Sequence, residues 1–193
     1  MASMSAEDDL VDRVRVRAAE VANDAGDGDP SGMHVAIGRH LIEIPWLHRA
    51  PGDEPPPRLP PCDPAALDRT EAALGVQLPP LLRRLYLEVG EGGYGPGDGI
   101  VGLAKLVEEH QSYAVELAEG QELGEWPAGL LPFCQLDQTL TACIDCNTPA
   151  GAIIGFDFDE LDFDDPDTWD GSFSPRSPSL HEWLAGWLDG GTG

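Results

Sequence analysis

Between residues 63 and 90 the chain is punctuated so closely that it admits few folds. Asp63 is a good cap for the free N–H groups at a helix start. Pro64 follows at the first helical position, where its missing N–H costs nothing. Leu67, Thr70 or Glu71, and Leu74 recur at helical spacing, and Gly75 is a stop signal. A link of only Val76-Gln77-Leu78 leads to Pro79-Pro80, which opens a second helix. Leu81, Leu82, Leu85, Tyr86 and Val89 form its apolar stripe, Arg83, Arg84 and Glu88 lie outside, and Gly90 ends it. The remaining elements must be built onto this helix–link–helix unit.

Gly90 to Gly99 is a glycine-rich loop. It lacks the Gly-Lys-Ser/Thr ending of a phosphate loop, no strand runs into it, and Glu91 and Asp98 repel phosphate, so it reads as a turn. Ile100-Val101 is a short strand. Leu103 to Glu119 reads as a third helix, with Leu103, Leu106, Val107, Tyr113 or Ala114, and Leu117 inward. Leu140–Asp145 and Ala152–Phe158 are apolar runs joined by a turn-rich segment, which predicts a hairpin. Phe156 and Phe158 then share one sheet face, with Asp157 and Asp159 on the other. Residues 160–171 are an acidic loop, and Phe173 starts a last strand. Ser179 caps a final helix, Leu180 to Leu188, with Glu182 placed as in a capping box. The class is α+β, a mainly antiparallel sheet flanked by helices.

Residues 6–22 read as a further helix capped by Ser5, with Leu10, Val14, Arg17 or Ala18, and Val21 on one face. Asn23 to Gly32 is a polar break, Met33 to Leu47 holds one or two strands, and Pro51 to Pro61 is an extended proline-rich linker. The expected division is an N-terminal extension over 1–61 and a domain over 62–190.

Charge is the unusual property. The 193 residues carry a net −24. Residues 1–84 hold nine arginines against fourteen acids, whereas residues 85–193 hold only Lys105 and Arg176 against twenty-one. Such a field repels nucleic acid and anionic membranes and speeds encounter with a basic partner. No apolar run is long enough to span a bilayer, and Met1 to Asp9 is acidic and lacks the apolar core of a secretory signal. Four cysteines are too few for a disulfide scaffold, so a cytoplasmic location with reduced thiols is expected.

Four phrases carry a resemblance. They are "LDRTEAALGVQLPPLLRRLYLEVGEGGYG", "WPAGLLPFCQLDQTLTACID", "AGAIIGFDFD" and "SPSLHEWLAGWLDG". In this order they resemble the SUKH superfamily, the group that includes the fungal Smi/Knr cell-wall regulator domain, over residues 63–190. Cys134 departs from the Gly or Ala that commonly follows Leu-Leu-Pro-Phe in that family, and residues 1–60 match nothing. The resemblance implies a compact α+β binding domain without catalysis. Many bacterial members are implied to be immunity proteins, which bind and inhibit toxins, often nucleases; the fungal members are interaction modules. It also implies structural roles for Leu78-Pro79, which sets the angle at which a helix begins, for Trp126 and Phe133 in the core, and for Gly129 in a tight turn.

The candidate partner-binding residues are Asp157, Asp159, Glu160, Asp162, Asp164, Asp165, Asp167 and Trp169, interleaved with Phe158, Leu161 and Phe163, with Asp170 beyond. Two readings stand: a solvated acidic loop, or a ridge of aromatic anchors ringed by carboxylates that meets a basic surface and mimics phosphates. A calcium loop is disfavoured, because Asp157, Asp159 and Asp162 break its one-three-five spacing and Asp162 takes the place of its glycine. Cys143 and Cys146 form a lone C-x-x-C on a strand, where residues three apart face opposite ways. They read as structural thiols rather than a metal or redox pair. The five histidines are scattered and no nucleophile elbow is present, so neither catalysis nor a cofactor or metal is expected. Arg13, Arg15 and Arg17 are a solvated helix face or a contact to the acidic C-terminal region.

The expected function is therefore a non-catalytic protein-binding domain. The first reading is an immunity protein neutralising a basic-surfaced toxin; the alternative is a regulatory scaffold of the Smi/Knr type.

Overall fold

The computed structural model describes residues 5–22, 34–37, 40–43, 60–119 and 123–190. Helix α1 spans Ala6–Ala22, and a two-stranded hairpin follows, β1 His34–Ile37 against β2 His40–Glu43. The side chain of Val21, the polar break at 23–32 and the proline-rich linker at 51–59 lie outside the described residues. Then come α2 Pro64–Leu74, α3 Pro80–Glu88, α4 Leu103–Gln111, β3 Leu130–Gln135, β4 Leu140–Asp145, β5 Ile153–Asp157, β6 Phe173–Ser177 and α5 Leu180–Leu188. Strands β3-β4-β5-β6 form an antiparallel meander in sequence order. The fold is α+β.

The helix starts follow from their caps. Ser5 Oγ accepts from Asp8 N–H at 3.1 Å while the Asp8 carboxylate accepts from Ser5 N–H at 3.2 Å. Those bonds and the Arg84 guanidinium hold the Asp8 carboxyl below its ordinary range. Asp63 Oδ1 accepts from Ala66 N–H at 2.9 Å, and Ser179 Oγ accepts from Glu182 N–H at 3.1 Å. Gly75 ends α2 with φ +70°, a left-handed conformation that suits glycine.

The joint between α2 and α3 is set by a buried carboxylate as well as by Pro79. Glu71 Oε1 accepts from Leu78 N–H at 2.7 Å, and Oε2 pairs with Arg83. A charge this deeply buried is stable only when its lone pairs are filled in this way.

The glycine loop is a packed turn. Gly93 N–H donates to Ile100 O, Asp98 N–H to Gln135 O and Ile100 N–H to Tyr94 O. A Cβ on Gly97 would lie 2.2 Å from Gln135 O, so the loop presses directly on the end of β3. Amides spent on carbonyls have no capacity left for a phosphate. Ile100 makes an isolated bridge to Cys134 in place of a longer strand.

Each face of the sheet carries its own core. On one face Leu131, Phe133, Ala142, Ile144 and Ile153 pack with the buried residues of α1, α2, α3, α5 and the first part of α4. Phe133 sits at a break in the β3–β4 register between Pro132 and Cys134. Such an extra residue lets neighbouring side chains reach the same side. On the other face Leu130, Cys143 and Phe156 pack with Tyr113, Leu117, Leu123 and Trp169.

One expectation changes here. The helix from Leu103 does not continue as α to Glu119; at Ser112 it widens into a π-helix, Ser112–Glu119. Ser112 N–H donates to both Glu108 O and Glu109 O at the junction. The apolar stripe divides as a result: Leu103 and Leu106 belong to the first core, Tyr113 and Leu117 to the second. A π-bulge rotates everything beyond it relative to an α-helical stripe, which carries the chain across the sheet edge.

Candidate functional site

The expected site residues fall on a strap, residues 157–172, that leaves β5 and returns as β6. Strand β5 ends at Asp157, and Phe158 opens a short 3-10 turn rather than a further strand position. Phe156 and Phe158 nevertheless pack into the same cluster.

Carboxylates shape the strap locally. Asp157 Oδ1 accepts from Asp159 N–H at 3.1 Å, Asp162 Oδ1 from Asp164 N–H at 3.0 Å, and Asp165 Oδ1 from Asp167 N–H at 3.1 Å. Each is a side chain folding the backbone two residues on, the turn that aspartate favours. Thr168 Oγ1 accepts from Asp162 N–H at 3.0 Å and donates to Asp165 O at 2.8 Å, closing the loop on itself. Asp159, Glu160, Asp162, Asp164, Asp165, Asp167 and Asp170 are exposed, and Asp157 is half-buried.

Trp169 corrects the expectation of an aromatic anchor. It is 5% exposed and belongs to the second core. Its ring lies 5.3 Å from Phe173, 5.8 Å from Phe156 and 6.1 Å from Trp126, and its Nε1–H donates to Glu125 O at 3.3 Å. The uncovered sheet face needs an apolar lid, and the largest aromatic of the strap supplies it. Trp169 therefore holds the strap down from beneath. The aromatic surface left at the rim is that of Phe158, Leu161 and Phe163, all half-buried, with the rings of Phe158 and Phe163 5.6 Å apart.

Gly124 and Trp126 also hold the strap, and the sequence reading did not single out the first. A Cβ on Gly124 would lie 2.6 Å from Trp169 Cδ1. Trp126 donates its Nε1–H to Leu130 O at 2.7 Å and packs, tilted or edge-on, against the rings of Tyr113, Phe156 and Phe173. The available signal was a glycine two residues before Trp126 in Gly124-Glu125-Trp126.

Cation placement sets the electrostatics. Arg84 pairs with Glu7 at 2.8 Å, Asp8 at 3.0 Å and Glu88 at 2.8 Å; Arg83 with Glu71 and Asp68; Arg13 with Asp189 at 2.6 Å. Lys105 pairs with Glu108 and Glu109. All of these lie on or beside the helices. Among the described residues, no ion pair reaches any carboxylate of the strap.

A family model for the SMI1 / KNR4 family (SUKH-1) matches residues 61–186. The chain belongs to this family. No curated relative gives a match. In this SUKH-1 chain the matched residues contain α2 to α4, the four-stranded sheet, the whole strap and most of α5; α1 lies outside them.

Among the described residues of the SUKH-1 domain, the cysteines lie apart from the strap's carboxylates and from one another. The four cysteines are free. Cys143 is in the second core and Cys146 packs against the first, on opposite sheet faces. Burial pushes the Cys146 thiol up to about 12 and the Cys143 thiol well above its ordinary value. Thiols held protonated are poor ligands and nucleophiles. Among the described residues no group of three His, Cys, Asp or Glu side chains is placed to hold a metal ion, and no helix is long and apolar enough to cross a membrane.

Proposed function

We propose that this SUKH-1 chain is a non-catalytic, cytoplasmic immunity protein that binds a cognate toxin by laying the acidic strap against the toxin's basic surface. The observation that carries this reading is the separation of charge. The described cations of the helices are largely consumed by neighbouring carboxylates, while among the described residues the strap carboxylates have no cationic partner. Unpaired charge on one surface attracts an oppositely charged partner over distance and accelerates docking. The strap is also held in place by its own turns and by Trp169, so little conformational freedom is lost on binding. Partly buried Phe158, Leu161 and Phe163 supply apolar contact beside the carboxylates. Carboxylates spaced along a strap resemble the phosphates that a nuclease toxin would present basic groups to.

The test is co-expression with the polypeptide encoded beside this gene. The unaltered chain protects the cells, and a strap carrying Glu160→Lys, Asp164→Lys and Asp167→Lys, none of which caps a turn, does not, at unchanged thermal stability. If the reversed strap protects equally well, the strap is not the binding surface. If the neighbouring polypeptide is harmless and unbound, the chain acts as a regulatory scaffold of the Smi/Knr type instead.

A further inference from the structure

Helix α1 lies outside the family match, yet Leu10, Val11, Val14 and Ala18 are each 2% exposed or less. Leu10, Val14 and Ala18 recur every fourth residue, a narrow stripe along one helix face. The helix packs chiefly on α5 and α3. Ion pairs fasten it along its length. Glu7 and Asp8 in its first turn hold Arg84 of α3, Arg15 reaches Glu88 at 3.6 Å, and Arg13 reaches Asp189 at the end of α5.

The matched domain also has anchors of its own, although α1 contributes Leu10, Val11, Val14 and Ala18 to the first core. Cys62 N–H donates to Tyr86 O and Glu91 N–H to Pro60 O, both at 3.0 Å, so the start of the matched domain is pinned on α3 and the loop after it. The second core contains no residue of α1. Roughly forty residues separate α1 from α2, a length that reaches beyond ~100 Å when fully extended. The helix is thus free to leave its groove without straining the chain. Its ion pairs are partly exposed, individually weak and screened by salt. A helix held by one narrow stripe and such pairs opens more readily than the sheet.

We propose that the groove between α3 and α5 is a helix-accepting surface, with α1 as its tethered occupant. From a partner it takes an amphipathic helix of the same build. Such a helix has carboxylates in its first turn opposite Arg84, small and branched apolar residues at every fourth position, and an arginine opposite Asp189. The tether keeps α1 at high local concentration, so a free helix competes only when α1 is weakened.

The probe is a fluorescent peptide of residues 5–22, offered to the full chain and to full-chain Val14→Asp, which places a carboxylate beneath α1 and releases it. The peptide binds the folded variant at least about a hundredfold more tightly than the unaltered chain, and adding Arg84→Ala weakens that binding. In parallel, amide exchange is followed on the unaltered full chain. Residues 6–22 exchange as a separate unit, about tenfold or more faster than α5, and faster again at high salt. A folded Val14→Asp chain that ignores the peptide overturns the proposal. So does equal protection of α1 and α5. If Val14→Asp does not fold, the amide exchange decides alone.

Discussion

The indole of Trp169 lies flat against Gly124, with Cδ1 only 2.6 Å from where a β-carbon on that glycine would stand. Backbone and ring leave no room for one methyl group. Gly124→Ala therefore lifts Trp169 from the second core and loosens the strap. The expected loss is about 1–3 kcal/mol, as for other overpacked sites, read from denaturant unfolding. Faster amide exchange concentrates in residues 158–172, and α2, α3 and α5 keep their protection.

Glu71 holds the joint of α2 and α3 through Leu78 N–H and Arg83. Glu71→Ala leaves both without their partner. Because Arg83 retains some water, the expected cost is about 2–3 kcal/mol, measured as a lower urea midpoint. Double-mutant analysis with Arg83→Ala then gives a cost smaller than the sum of the two single changes.

Burial raises the Glu109 carboxyl above its ordinary 4.5, against the pull of Lys105. A carboxyl with a raised folded-state value binds its proton more tightly in the folded chain. Its charged form therefore opposes folding above that value, and the penalty fades as pH falls toward 4.5. Glu109→Gln is accordingly more stable than the unaltered chain at pH 7, and the difference vanishes near pH 4. His110, by contrast, is lowered below 6.5 by burial. The unfolded chain then takes up the proton first, so stability present above pH 6.5 is lost as pH falls below it. His110→Gln flattens that decline in unfolding curves taken between pH 7 and 5.

If the chain binds a basic toxin through the strap as proposed, association is fast and salt-sensitive. Neutralising Asp162, Asp164 and Asp165 to Asn lowers the association rate about tenfold or more at low ionic strength, with a smaller effect on dissociation. Stopped-flow traces at several salt concentrations check this. An association rate indifferent to salt removes the electrostatic part of the model.

Thiol labelling gives a simpler check on the C-x-x-C pair. Cys143 is buried and its thiol is held protonated, and Cys146 is raised to about 12. Neither reacts appreciably with a disulfide reagent at pH 7.5 until denaturant opens the sheet. Cys134, Cys143 and Cys146 appear together at the unfolding midpoint, after half-buried Cys62.

Much of the helical face was legible because its signals are local. Asp63-Pro64, Gly75, Pro79-Pro80 and Ser179 act on their own neighbours, and the caps found are those the residues favour. The opposite placement of Cys143 and Cys146 followed from strand period alone. The second face was not legible to the same degree. Whether Trp169 points outward or inward depends on the sheet face beneath it, which lies far away in sequence. The π-helix at Ser112 has no compositional mark, so a single α-helical stripe was the natural expectation across Leu103 to Glu119. Glu71 was legible only as an alternative to Thr70 on the helix stripe; its role at the joint was not, because its partner Arg83 belongs to the next helix and its second bond is to a backbone amide. Ion pairing was half legible: Arg13 does meet an acidic C-terminal residue, Asp189.

The strap's outer carboxylates fold only the backbone beside them, while its hold on the body comes from Trp169 underneath. Exposed positions such as Glu160, Asp164 and Asp167 are thus released from any duty to the core. Those positions can be rewritten one after another, redrawing the charge that the strap presents, and each step leaves the helices and both sheet faces undisturbed.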